Sequence, residues 1–98
     1  MNPPPSPTEL ALMHVAHALA DPVRLDILLL LSTGEHMVTQ IYQSLDYSQP
    51  QVSKHLRTLR DAEAVTWRRE SNRKYYSLTP AYQPIIRGIG AIIVAAGD

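Results

Sequence analysis

The spacing of apolar residues follows a helical period over the first half of the chain. A polar residue followed by proline, at Ser6-Pro7 and again at Asp21-Pro22, predicts the starts of two helices. The first helix is expected to end just before the second signal. The second is expected to end near the Ser-Thr-Gly turn at 32–34.

Two further short helices follow within a few residues of each other. A third helix is predicted over 38–45, and a fourth from Ser48, where Gln51 would complete a capping box. Only the Asp46-Tyr47 link separates them, and two short helices joined this tightly have the spacing of a helix-turn-helix. The fourth helix carries one apolar stripe, expected to face the core: Val52, Leu56 and Leu59.

The apolar period changes to two in the second half of the chain. Polar and apolar residues alternate over 65–70, and a second run rich in strand formers follows at 74–78. Two such runs around the polar turn Ser71-Asn72 predict a β-hairpin. Thr79-Pro80 predicts the start of a fifth helix. The pattern therefore predicts a mainly α fold with a hairpin: four helices, two strands and a last helix.

Two of these helices carry more apolar surface than a small domain can enclose. The first has two apolar faces nearly opposite each other, and the last is apolar nearly all round over 85–96. One face of the first helix, Leu12, Val15, Ala16 and Leu19, is expected to pack on its own domain. The remaining surface predicts a symmetric homodimer through the first and fifth helices. The predicted interface residues are Leu10, Met13, His14, His17, Ile85, Ile89, Ile92 and Ile93.

Length and composition exclude several classes of protein. The 98 residues fit one domain, predicted over 7–98 after a flexible proline-rich leader over 1–6. The absence of cysteine excludes disulfides, thiolate metal sites and a cysteine nucleophile. No signal peptide is visible, and the apolar runs 27–31 and 85–96 are too short to span a bilayer. We expect a cytoplasmic protein with no membrane partner.

The formal net charge of zero conceals a separation of charge along the chain. Seven basic and three acidic residues lie between positions 48 and 78, so this segment has a net charge of +4 and the rest has −4. Binding of phosphates requires a basic face rather than a basic total. The segment contains the fourth helix and the hairpin, so the sequence predicts that both contact double-stranded DNA.

Individual residues of this basic segment suit different parts of DNA. Lys54 and Arg57 suit phosphates or guanine edges. Gln49 and Gln51 suit adenine edges in the major groove. Near the hairpin tip, Arg73 and Lys74 are placed to reach the flanking backbone or the minor groove. The remaining interpretation of these charges is an ordinary solvated helix face.

Three stretches resemble the ArsR/SmtB family of bacterial winged helix-turn-helix repressors. The sequence DPVRLDILLLL at 21–31 is similar to the second helix of that family, and SQPQVSKHLRTLR at 48–60 to its recognition helix. YYSLT at 75–79 is similar to the end of its wing. The resemblance implies a winged helix-turn-helix homodimer that binds an imperfect DNA palindrome and represses transcription. The DNA-contacting residues expected by position and residue type are Ser48, Gln49, Gln51, Ser53, Lys54, Arg57, Arg73 and Lys74.

The sequence departs from this family at its usual metal sites. Many members bind metals through a Glu-Leu-Cys-Val-Cys type motif, whereas the matching stretch here is EHMVT at 35–39. The fifth helix also lacks the Asp and His ligands of other members, so no cofactor is expected. His14 and His17, with His36 or a partner group, leave a histidine-based metal-sensing repressor as an alternative. Packing or hydrogen bonding at a dimer interface is the other interpretation of these histidines.

One further departure concerns the backbone after the fourth helix. Glu63 stands where the family usually has glycine. If the backbone there requires a positive φ, Glu63 is expected to be strained by about 1 kcal/mol. A normal helical exit is the alternative.

Two other functions are compatible with the composition. A winged-helix module that binds another protein is consistent with the zero net charge and with the acids Asp61 and Glu63. An enzyme is not expected, because the sequence has no nucleophile-elbow, phosphate-loop or metal-hydrolase motif. The sequence defines neither an effector nor an operator.

Overall fold

The computed structural model describes residues 1–97, which form five helices and a three-stranded antiparallel sheet. The helices are α1 (Pro7–Leu19), α2 (Pro22–Leu31), α3 (Val38–Leu45), α4 (Gln49–Asp61) and α5 (Gln83–Gly97). The strands are β1 (His36–Met37), β2 (Val65–Glu70) and β3 (Arg73–Leu78), in the spatial order β1-β3-β2. The predicted helix-turn-helix (α3 and α4) and hairpin (β2 and β3) are confirmed. The last residue of the predicted domain, 98, lies outside the described residues.

Polar caps set the starts of α1, α2 and α4, as the sequence predicts. The Ser6 hydroxyl accepts a hydrogen bond from the Glu9 N–H at 3.1 Å. Asp21 Oδ1 accepts from the N–H groups of Val23 and Arg24 at 2.8 and 3.2 Å. α4 begins with the capping box expected for it. Each cap satisfies N–H groups that have no partner inside the helix, so local sequence fixes these boundaries.

The sheet has one more strand than predicted. β2 and β3 form the expected hairpin, with Val65 opposite Leu78. β1 pairs with β3 on its other side, with His36 opposite Tyr76. A strand of two residues is too short for any hydrophobic period to reveal it. It joins the start of α3 to the middle of β3.

α5 begins at Gln83, later than the predicted Thr79-Pro80. The Thr79 hydroxyl donates to the Glu63 carbonyl oxygen at 2.8 Å, and the Thr79 N–H donates to that of Ala64 at 3.1 Å. Since both groups bind the chain at the end of α4, Thr79 closes the hairpin and does not cap a helix. A turn over 80–82 precedes the first helical residue.

One hydrophobic core joins the helices to the hairpin. Its fully buried large side chains come from α2, α3, α4 and α5, while α1 contributes Ala18. Among residues 1–97 no polar or charged residue is buried. The fully buried large residues are Ile27, Leu28, Ile41, Val52, Leu59 and Ile86.

Only the last part of α1 packs against this core. Val15 and Leu19 contact it as predicted. Leu12 and Ala16, expected on the same packed face, are instead exposed, Leu12 to 64%. α1 meets the domain at its C-terminal end, where Ala18 is buried, and its first turns therefore lie beyond the reach of the core.

Glu63 has the left-handed backbone conformation, which is the first of the two alternatives that the sequence left open. Its φ is 58°. The Glu63 N–H donates to the Arg60 carbonyl oxygen at 3.0 Å, and the Ala64 N–H donates to that of Leu59 at 2.9 Å. These two bonds form a Schellman motif, in which the residue after the cap is most often glycine. A side chain with Cβ costs about 1 kcal/mol there.

Glu63→Gly should therefore stabilise the protein. Relief of the strained φ outweighs the greater freedom of glycine in the unfolded chain, and we expect the free energy of unfolding to rise by roughly 0.5–1 kcal/mol. Urea unfolding at neutral pH and fixed chain concentration measures this change. Glu63→Ala is the control, since it removes the charge but keeps Cβ. An equal gain in both variants would show that charge, not backbone strain, is the cause.

Candidate nucleic-acid interface

α4 has one buried stripe and one exposed stripe. Val52, Leu56 and Leu59 are buried in the core and fix the rotation of the helix. The opposite side is polar and faces solvent. All the predicted DNA contacts in and before this helix are exposed: Ser48, Gln49, Gln51, Ser53, Lys54 and Arg57. The structure thus presents these six residues on one accessible surface, the α4 face.

The two glutamines at the start of α4 differ in their hydrogen bonds. Gln51 Oε1 accepts from the Ser48 N–H at 3.1 Å, because this side chain completes the capping box. A bidentate contact with adenine requires that same oxygen, so Gln51 has only its amide nitrogen available unless the cap opens. The Gln49 side chain makes no hydrogen bond within residues 1–97 and is the freer of the two.

Arg68 in β2 is held by two carboxylates. Its Nε and Nη2 donate to Glu35 at 3.0 and 2.6 Å, and its Nη1 donates to Glu70 at 2.7 Å. The bond from Arg68 lowers the pKa of Glu35, and the two carboxylates raise the pKa of Arg68. Glu35 lies just before β1, so this pair ties the hairpin to the loop after α2. Arg68 is therefore a structural cation rather than a free one.

Two other cations lie against the indole of Trp67. The Arg60 guanidinium is 5.1 Å from the ring centroid and the Lys74 ammonium is 4.4 Å from it. Attraction between a cation and an aromatic ring accounts for this arrangement. Lys74, predicted to contact DNA, is half-buried in this position. Trp67 itself is partly buried and packs against the core.

In the segment 48–78, four basic side chains have neither an ion pair nor a contact with an aromatic ring among residues 1–97. Lys54 and Arg57 lie on the α4 face, three residues apart, and Arg69 and Arg73 lie near the hairpin tip. Arg69, Arg73 and Asn72 line a groove against the start of α3. These two pairs are the free positive charges of the surface formed by α4 and the hairpin.

The three histidines considered as metal ligands do not converge. His14 and His17 line a shallow cleft with Thr58 and Asp61 at the end of α4. His36 lies on β1, with its Nδ1 2.8 Å from the Gly34 carbonyl oxygen. Within the described part of the chain, no group of three or more metal-binding side chains is assembled. The histidine-sensor alternative therefore has no complete ligand set within residues 1–97 of one chain.

The residues predicted for a dimer interface are partly exposed in the single chain. Leu10, Met13, Ile92 and Ile93 are exposed, whereas Ile85 is half-buried and Ile89 packs partly against the core. Leu12 and Val94, which the prediction left out, are also exposed, Val94 to 78%. The exposed apolar residues of α1 and of α5 have no cover among residues 1–97. Both omitted residues lie in apolar stretches of the sequence, so the apolar pattern already marked them as candidates for the interface.

Tyr47 has a role that the sequence analysis did not assign. It lies in the link between α3 and α4, and its hydroxyl donates to Asp26 Oδ2 of α2 at 2.5 Å. This bond, with the charge of Asp26, raises the pKa of Tyr47. Since the partners are 21 residues apart, no local pattern pointed to the bond.

None of the helices within residues 1–97 is both long enough and apolar enough to cross a bilayer.

The sequence and the fold were compared with known proteins. Residues 21–66 match the family model described as bacterial regulatory protein, arsR family. The chain is 37% identical over 65 residues, 66% of its length, to the transcriptional repressor SdpR of Bacillus subtilis, and covers 72% of that protein. It is 41% identical over 64 residues, 65% of its length, to the arsenical resistance operon repressor of Staphylococcus xylosus, and spans 62% of that protein.

A solved structure extends the similarity to the whole chain. The homodimeric winged helix-turn-helix DNA-binding domain of Mb0332 from Mycobacterium bovis superimposes with a TM-score of 0.78 at 26% identity, covering 100% of this chain and 94% of that one. The family model spans α2, α3, α4 and the start of β2, which are the elements that present the α4 face. The chain belongs to the arsR family of bacterial regulatory proteins.

Proposed function

We propose that this protein is a sequence-specific DNA-binding regulator, a transcriptional repressor that binds a palindromic operator as a homodimer in the cytoplasm. α4 lies in the major groove and the hairpin lies on the flanking backbone. Gln49, Gln51 and Ser53 contact base edges, and Lys54 and Arg57 contact phosphates or guanine. The protein acts by occupying DNA and not by catalysis.

The observation that carries this proposal is the division of α4 into two faces. Its apolar stripe is locked in the core, and its other side exposes amides, hydroxyls and two unpaired cations. A recognition helix in a helix-turn-helix requires this arrangement, because one face must pack firmly on the domain while the other contacts base edges in the groove. Arg69 and Arg73 at the hairpin tip supply positive charge beside that helix.

Formation of a homodimer is the reason for proposing a palindromic operator. Two copies related by a twofold axis present two α4 helices, so the DNA site has matching half-sites. The apolar surface of α1 and α5 supplies the contact between copies. The name of the Mycobacterium bovis structure describes a homodimer of the same fold.

Substitutions on the α4 face should separate phosphate contacts from base contacts. Lys54→Ala is expected to weaken operator binding about tenfold on all sequences and to reduce the slope of log affinity against log salt by about one. Gln49→Ala should relax the preference at one base pair, by roughly 1–3 kcal/mol, and Gln51→Ala should do so less because its oxygen caps the helix. Fluorescence anisotropy with fragments of the upstream region, over a salt series, measures both effects.

Arg87→Gln serves as the matched control for charge. It removes one positive charge from an exposed residue outside the basic segment, and the salt slope should stay unchanged. A wild-type protein that binds every duplex equally, with little dependence on salt, would contradict the proposal. Co-purification with a protein partner after nuclease treatment would then favour the protein-binding module.

A further inference from the structure

The side chain of Arg24 connects three helices at one point. Its Nε donates to the Ala18 carbonyl oxygen at 3.2 Å, and its Nη2 donates to that of His17 at 2.7 Å. Both carbonyls belong to the last turn of α1, where the regular helical bonds end, and that of His17 also accepts from the Ala20 N–H at 3.3 Å. Its Nη1 lies 3.4 Å from His55 Nδ1 in the middle of α4. Arg24 itself belongs to the first turn of α2, so one guanidinium contacts α1 and α4 from α2.

Arg24 and Asp21 approach the two ring nitrogens of His55 from α2. A guanidinium only donates, so the contact with Arg24 is a hydrogen bond when His55 Nδ1 accepts and the ring proton is on Nε2. That nitrogen lies 3.8 Å from Asp21 Oδ1, and the His55 side chain is 13% exposed. Asp21 is the cap of α2 and also faces Arg24. The ring is therefore held between a fixed cation and a fixed anion, both from the junction of α1 and α2.

A second polar contact joins α2 to the start of α4. The Tyr47 hydroxyl donates to Asp26, two residues beyond Arg24. The apolar stripe of α4 fixes which side of the helix is buried. Directional hydrogen bonds at the beginning and the middle of α4 add a finer constraint, because they oppose the small slides and rotations that apolar packing alone accommodates.

We infer that Arg24 and His55 are positioning residues for DNA recognition: they hold the α4 face at a fixed orientation to α1, the helix expected at the dimer interface. The inference rests on the proposed function. In a dimer that reads two half-sites, the angle between α4 and the dimer helices sets the distance between the two α4 helices. Neither side chain lies among the free cations of the interface, so neither contributes to binding by its own contact with DNA.

The experiment compares operator binding with binding to an unrelated duplex of equal length. Arg24→Lys keeps the positive charge but removes the planar set of N–H donors that a guanidinium provides. His55→Leu removes the acceptor nitrogen and replaces the ring with an apolar side chain that is compatible with the edge of the core. Each should reduce operator affinity about tenfold and change binding to the unrelated duplex less than about twofold. The double variant should lose no more than the larger single loss, because both changes break the same contact.

Conservative and control variants distinguish positioning from a general structural role. His55→Asn places an amide oxygen near the position of Nδ1 and should restore operator affinity to within about threefold of wild type. Arg87→Lys, an arginine-to-lysine change on α5 outside the network, should leave both affinities unchanged. On the same samples, thermal melting measures the stability of the fold and sedimentation measures dimerisation.

The outcomes are separable. Loss of both affinities in proportion to a lower melting temperature, or additive losses in the double variant, would overturn the inference. Operator preference retained in Arg24→Lys and His55→Leu would also overturn it while leaving the proposed function intact. A wild-type protein without sequence preference would instead overturn the proposed function itself.

Discussion

Ile93→Glu should leave the protein monomeric at micromolar concentration and weaken operator binding by about 100-fold or more. Ile93 is 47% exposed in the single chain, and its neighbours Ile92 and Val94 are exposed to 67% and 78%. A carboxylate placed in an apolar interface loses its hydration without gaining a partner. Because a twofold axis relates the two copies, each copy carries one such carboxylate, and the interface is destabilised twice. A monomer then binds one half-site and loses the gain from linking two. Sedimentation equilibrium and anisotropy with a palindromic fragment measure the two effects.

Thr33→Glu is the matched control for this change. It adds the same charge at an exposed turn residue that belongs to neither α1 nor α5, and both dimer and operator affinity should persist. A dimeric Ile93→Glu variant with unchanged operator affinity would place the contact between copies elsewhere on the molecule. A monomeric wild-type protein with tight operator binding would contradict the role of dimerisation in recognition.

The parts of the fold that sequence predicted are those determined by near neighbours. Ser48 and Gln51 are three residues apart, and their capping box marks the start of α4 correctly. Glu63 is another local case, because its φ of 58° follows from the way a helix ends. The alternation in β2 and β3 likewise appears within a dozen residues. Short-range chemistry therefore accounts for the helix-turn-helix and the hairpin.

The parts that sequence did not predict depend on groups far apart in the chain. Thr79 fails to cap α5 because its hydroxyl binds the carbonyl of Glu63, 16 residues earlier. Arg68 appears in the sequence as one of seven cations, but Glu35, 33 residues away, holds it. Composition counts charges without showing which of them are paired. The sequence therefore proposes the interface residues only as a set, and the division into free and paired cations requires the fold.

Leu28→Ala should lower the free energy of unfolding by about 3 kcal/mol and the melting temperature by of order 10–20 °C. Leu28 is fully buried in α2, at the centre of the core on which α4 rests. Truncation leaves a cavity that neighbours on several elements cannot all close, so the cost includes lost contacts as well as lost burial. Leu28→Met keeps the volume and should cost less than about 1.5 kcal/mol. Urea and thermal unfolding at one chain concentration provide the comparison, since a dimer melts in a concentration-dependent way. Equal stability of the Ala variant and wild type would mean that this position repacks, and that α4 does not depend on a rigid α2 for its support.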